Sequence, residues 1–202
     1  MIDNYISLTL GTFLNIDAIL QSDKEEIDKQ VAIIALLSGE TEADILALPL
    51  ADYAALAAKT DFLRQECPPV TAPARVVVGG RAYIPVKDFT KVTTAQYVDF
   101  QTFSKGGTQK LPELLAVLLV PDGKAYGEGY DFADVVADVR TLPLPVALSL
   151  VGFFFAALSQ SIEVSLTSLG ERSRKMTRTK AKEIEKIISQ TRELLAGAGL
   201  QM

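Results

Sequence analysis

Two stretches of this chain repeat the same order of residue classes, and the repetition restricts the fold more than any other feature. Leu8-Thr9-Leu10-Gly11-Thr12-Phe13-Leu14-Asn15-Ile16 matches Val92-Thr93-Thr94-Ala95-Gln96-Tyr97-Val98-Asp99-Phe100 at an offset of 84. Ile33-Ile34-Ala35-Leu36-Leu37 then matches Leu114-Leu115-Ala116-Val117-Leu118. Ala43-Asp44-Ile45 and Leu48-Pro49-Leu50 match Ala137-Asp138-Val139 and Leu142-Pro143-Leu144, with the offset grown to 94 by the loop from Pro121 to Asp131. Three blocks in one order point to a duplicated helical unit, in which neither copy hides its apolar face alone. Chance likeness between apolar helices is the competing explanation.

Local signals divide the chain accordingly. Thr9 to Ile19 reads as an amphipathic helix with Leu10, Phe13, Leu14 and Ile16 on its apolar side. Ser22 with Glu25 has the form of a capping box, opening a helix that runs through Ile27, Val31, Ile34 and Leu37 at spacings of four, three and three and stops at Gly39. Thr41 with Asp44 opens a short helix, Pro49 interrupts it, and Ala51 to Arg64 reads as one further helix. Cys67-Pro68-Pro69-Val70-Thr71-Ala72-Pro73 is a linker. Arg75 to Val78 and Arg81 to Ile84, joined by Gly79-Gly80, form a β-hairpin that needs helices or a partner strand to be stable. Pro145 suits a first helical turn, and Val146 to Leu158 is apolar all round. The expected fold is therefore mainly α, with two similar helical units joined by a β-hairpin and a long C-terminal helix. Its segments are 1–66, 67–90, 91–160 and 161–202.

Composition narrows the chemistry. With no histidine among 202 residues, the Ser-His-Asp and Cys-His nucleophilic arrangements and His-bearing metal sites are excluded. Cys67 is the single cysteine, which reads as a structural thiol and gives no sign of an oxidising compartment. Phosphate-loop, dinucleotide-loop and calcium-loop patterns do not occur. These readings lead to the expectation of a protein that is not an enzyme and takes no cofactor or metal. The start, Met1-Ile2-Asp3-Asn4, lacks the basic region of a signal peptide. Asp17, Asp99 and Asp131 are read as caps and surface groups.

Charge is uneven. From Glu171 to Met202 there are eight Lys/Arg and four Asp/Glu, a balance of +4, which leaves −9 on residues 1 to 170 of a chain whose total is −5. The basic segment has no interleaved aromatics for base stacking, which argues against nucleic acid. Ile184, Ile187, Ile188, Thr191 and Leu195 form an apolar stripe at helical spacing within it. Leu142 to Leu158 is at the short edge of what spans a bilayer about 30 Å thick, and the matching stretch 51–63 carries Asp52, Lys59 and Asp61, so a membrane is not the expected partner. Phe153, Phe154 and Phe155 point about 100° apart on a helix and cannot all face one core. A ring left in water forgoes about 2 kcal/mol of burial, so a companion is expected to cover it. Leu150, Phe153, Phe154 and Phe155, with Ile184, Ile187 and Ile188, are the candidate protein-binding residues.

The order of capped helices, the Leu48-Pro49-Leu50 break, the hairpin and the second copy resembles small proteins of tailed bacteriophages and prophages. Thr93 to Phe100, followed by Leu114 to Leu118 and Pro121, carries most of the likeness. The group is the tail assembly chaperone-like proteins, and the likeness spans roughly residues 6 to 160. It implies a role in tail morphogenesis: binding the apolar tape measure protein in the host cytoplasm while the tail tube forms. It carries no residue role over by position. A homo-oligomer is expected from the same surplus of apolar side chains. Two alternatives stay open: a structural component of the virion, such as a tail or neck adaptor, and a peripheral membrane protein using Val146 to Leu158.

Overall fold

The computed structural model describes residues 1–168, with the backbone alone described at Thr90, Phe155 and 158–168. Eight α-helices dominate these residues: α1 Leu10–Leu20, α2 Glu26–Ser38, α3 Glu42–Leu46, α4 Leu50–Ala58, α5 Thr94–Phe103, α6 Leu111–Leu118, α7 Phe132–Arg140 and α8 Leu144–Ser168. Three short strands, β1 Val76–Val78, β2 Arg81–Pro85 and β3 Leu119–Pro121, form an antiparallel sheet in that order. The expected basic helix, with Ile184, Ile187 and Ile188, lies outside the described residues. No helix of the described residues is long and apolar enough to cross a membrane.

Most helix boundaries follow from local chemistry. The hydroxyls of Thr9 and Thr93 cap α1 and α5 by accepting from the amides of Thr12 and Gln96. Thr41 and Asp44 form the reciprocal capping box of α3, and Gly39 ends α2 with φ +78°. The box expected at Ser22 and Glu25 does not form. Instead the Ser22 hydroxyl donates back to the Ile19 carbonyl at 2.6 Å, closing α1, while Glu25 precedes α2 without a side-chain cap. The helix expected through Arg64 stops at Ala58, because the Thr60 hydroxyl takes the Ala57 carbonyl at 2.7 Å and the chain tightens into the 3-10 turn Asp61–Arg64.

The hairpin has the expected register, with Val78 opposite Arg81 across a two-residue turn. Gly79 and Gly80 take φ +59° and +74°, as a turn of the primed type demands. Its partner is β3, a strand unforeseen in the sequence, where α6 turns directly into extended chain at Leu119. Two of the carbonyls freed there find donors: the Gln96 side-chain amide reaches Val117 at 2.6 Å, and the Val86 amide reaches Leu118 at 2.9 Å.

In each half the second helix is the hub. The α2 helix packs on α1, α3 and α4, and α6 packs on α5, α7 and α8. One large core takes side chains from Tyr5 through Phe154, joining α1 to α5–α8 and the sheet. A smaller cluster of Val31, Ile34, Ala35 and Ile45 lies under α3 and α4. The two backbone bonds Leu10 N–H to Leu142 C=O (2.8 Å) and Leu144 N–H to Leu8 C=O (2.7 Å) stitch the start of α1 to the break before α8.

Candidate protein-binding groove

The sequence-level candidates do not assemble into a surface. Leu150 and Phe154 are 0% and 2% exposed and belong to the main core. Expected at a protein-binding face, they instead lie on the side of α8 that packs on α1, α6 and the turn at Phe89–Lys91. Phe153 is half-buried and meets Phe154 edge to face at 5.5 Å. The Phe155 side chain and Ile184, Ile187 and Ile188 lie outside what is described. A single fold thus accounts for two of the three rings, and apolar exposure has to be sought elsewhere.

Large apolar side chains are exposed at several places, among them Leu50, Ile6 and Val77, and two of them, Leu20 and Ile27, share a concave surface near the N-terminus. A groove of about 520 Å³ runs between α1, α2 and the 3-10 turn at residues 61–64. Phe13, Ile16 and Leu20 line one wall, Ile27, Gln30 and Ile33 the other, and Leu63 an end. Leu20 is 46% exposed and Ile27 54%, each an apolar side chain left largely in water. The groove is held open by its frame. Tyr5 donates its hydroxyl to the Gln65 carbonyl at 2.8 Å and meets Phe62 edge to face at 5.2 Å, fixing the turn against α1. Burial raises the Tyr5 pKa, with the neighbouring Cys67 adding to the shift, so the phenol keeps the proton it donates. Cys67 is itself buried, and its thiol is pushed up to about 11, away from the thiolate form that reactivity requires.

Four charged groups line the groove: Asp17, Glu26, Lys29 and Arg64. Lys29 pairs with Glu26 at 3.3 Å and Arg64 lies 3.9 Å from Asp61, while Asp17 accepts from the Gln109 side-chain amide at 3.2 Å. No titratable pair faces another across an empty space where a reacting atom would sit. The chemistry offered is an apolar trough with polar edges, suited to a side of an amphipathic helix.

A second, more open depression of about 740 Å³ lies between the sheet and the Pro121–Asp131 loop. Its guanidinium groups are engaged by carboxylates. Arg75 pairs with Asp122 at 2.9 Å, and Arg81 reaches Asp134 at 2.8 Å and Asp138 at 2.7 Å. Asp138 also accepts a short hydrogen bond from the fully buried Tyr83 hydroxyl. The Arg81 hydrogen bond, against the cost of desolvation and with help from Tyr83, holds the Asp138 carboxyl below its usual range. Burial, with the hydrogen bond to the same acid, raises the Tyr83 phenol. This cluster anchors the hairpin to α7. Asp131 caps α7 through the Ala133 amide, Asp99 accepts from Tyr126 and Asp17 from Gln109, so all three aspartates expected as caps and surface groups have structural partners. No group of acids, cysteines or histidines among the described residues is arranged to hold a metal ion.

Helical spacing alone does not reveal the groove, because Ile27 falls on the same stripe as the buried Val31, Ile34 and Leu37. The internal match contains a usable signal. At the offsets of 84 and 81 by which the matched stretches align, Leu20 and Ile27 fall opposite Ser104 and Thr108, so the earlier stretch is apolar where the later one is polar. No protein-family model, curated protein or solved structure matches the chain.

Proposed function

We propose that the chain is a non-enzymatic protein-binding factor that holds the apolar face of a client helix in the groove between α1 and α2. The observation that carries this reading is the exposure of Leu20 and Ile27 in a concave apolar trough. Covering both would return on the order of 2 kcal/mol, enough to favour a helix of matching shape. The resemblance to tail assembly chaperones supplies the client class: the apolar helical tape measure protein, bound in the host cytoplasm during tail morphogenesis. The reading includes an internal duplication with a helix at the C-terminus. It is supported by the matching threonine caps at Thr9 and Thr93 and by α2 and α6 each packing on three helices of its own half.

Co-expression with the tape measure protein tests it. The two should co-purify, and Leu20→Ser with Ile27→Ser should lower recovery of the client about tenfold while leaving the fold's stability within about 0.5 kcal/mol. Recovery unchanged by the double substitution rules out the groove as the client site. Mass spectrometry of finished particles separates a chaperone, which is absent, from a tail or neck adaptor, which is retained.

A further inference from the structure

The most exposed large apolar side chain among the described residues is not in the groove. Leu50 opens α4 and is 82% exposed, and Leu46, four residues earlier, is 69% exposed. No residue of α4 is fully buried. Its inner side, Tyr53, Leu56 and Ala57, packs on the small cluster beneath it. Its outer side, Leu50, Ala51, Ala54, Ala55 and Ala58, is apolar and exposed throughout. These positions fall within about 140° of one another around the helix axis, on the side where a surface helix ordinarily carries its charges.

Only two charged side chains stand on this helix, counting its C-cap: Asp52 and Lys59. They share one flank of the apolar side and sit about 10 Å apart along the axis. Neither has an opposite charge three or four positions away in the chain, and neither forms an ion pair among the described residues. The pattern is self-complementary. When two copies of α4 pack antiparallel about a twofold axis, the same flanks meet, and Asp52 of each copy comes level with Lys59 of the other. A parallel pair in register sets each charge level with its like. The charges therefore select the antiparallel arrangement. Alanines on the contact side let the two axes approach to about 8 Å, so that Leu50 of each copy reaches the C-terminal end of the other's stripe.

We propose that the outer face of α4 docks α4 of a second copy of this chain, packed antiparallel, with Asp52 and Lys59 of opposite copies paired twice and the exposed apolar side chains enclosed between them. One helix of nine residues per copy is a small contact, beside the roughly 800 Å² that each partner gives to a stable interface. The association is therefore reversible, in about the micromolar range or weaker. The face shares no residue with the groove between α1 and α2, so the proposal does not rest on the client-binding reading.

Sedimentation velocity of the full chain, from about 1 µM to about 1 mM, reads the association. A monomer–dimer equilibrium is expected. Asp52→Lys alone sets two pairs of like charges in the dimer and should weaken it about tenfold. Lys59→Asp alone should do the same. Asp52→Lys combined with Lys59→Asp restores the complementarity, and the dimer should return to within about twofold of the parent. Far-ultraviolet dichroism checks that the helix persists in each variant. If the reversed charges fray α4, Ala55→Lys is read in their place, since lysine suits a helix but puts a charge in the middle of the contact. It should abolish the dimer. Leu20→Ser with Ile27→Ser should leave the association unchanged. A chain that stays monomeric over the whole range overturns the proposal. So does a dimer indifferent to the charge reversals and to Ala55→Lys, or one that folded single variants weaken and the folded double variant does not recover. A dimer lost with Leu20→Ser and Ile27→Ser also overturns it, because the second copy then sits in the groove. No client is present in this measurement, so a failure of client binding leaves its outcome untouched.

Discussion

At Asp138 one carboxylate of α7 is joined to the hairpin at three residues: it accepts from Arg81 Nε and from the buried Tyr83 hydroxyl, both of β2, and its other oxygen lies close over Gly79 of the turn. A β-carbon at Gly79 would sit 2.2 Å from that oxygen, so the turn residue and the acid specify each other. Asp138→Ala strips the acceptor from a fully buried phenol. The expected cost is about 2 kcal/mol, measured as a lower urea midpoint with an unchanged slope. Arg81 is largely solvated and adds little of its own. The acid also has a pH signature. Its folded pKa is depressed below the unfolded value, so its contribution is complete above the unfolded pKa and is lost as pH falls through the folded one. Asp138→Asn should therefore flatten the fall in stability on acidification below about pH 4, and a slope equal to that of the parent chain would show that the acid is uncoupled from folding.

Elements in this fold are joined by side chains that finish what a neighbour leaves open. The switch from α6 to β3 strands helix carbonyls inside the core, and Gln96, reaching from α5, takes the one at Val117. It is one of two buried polar side chains among the described residues, the other being Asp138. Gln96→Leu conserves volume but leaves that carbonyl without its donor. A loss of about 1–3 kcal/mol is expected, together with faster amide exchange at Val86 and along β2 than in the parent. Exchange that stays protected would mean that water replaces the glutamine. The 3-10 turn at residues 61–64 depends on the same economy of contacts, with Thr60 ending α4 early and Tyr5 fixing the turn from across the groove.

For the molecule as a whole, the halves are not independent bodies. The core takes Leu8, Leu10, Phe13 and Leu14 from the N-terminal half together with Leu115, Val139, Leu144 and Leu150 from the C-terminal half. The paired backbone bonds between Leu8–Leu10 and Leu142–Leu144 lock one to the other. Unfolding of the described body is therefore expected in a single step, despite the repeated pattern. Far-ultraviolet dichroism and tyrosine fluorescence should give superimposable urea curves. Two separated transitions would show that the halves fold alone.

Sequence by itself determined the helical class, several helix ends and the hairpin register, because these rest on interactions a few residues long: Thr41 with Asp44, Gly39 beyond α2, and the glycine pair between valine and arginine. It also separated the apolar side of α1 correctly, since Leu10, Phe13, Leu14 and Ile16 are all buried. Tertiary structure alone decided which apolar positions stay in water. Phe154 and Ile27 carry the same local signal, yet α1 and α6 cover the first while no described element covers the second. The strand β3 was likewise invisible, because its pairing depends on β2 and on Gln96, far away along the chain. Burial is a property of what lies opposite a side chain, and that is settled by packing between distant segments rather than by the residue's own neighbours.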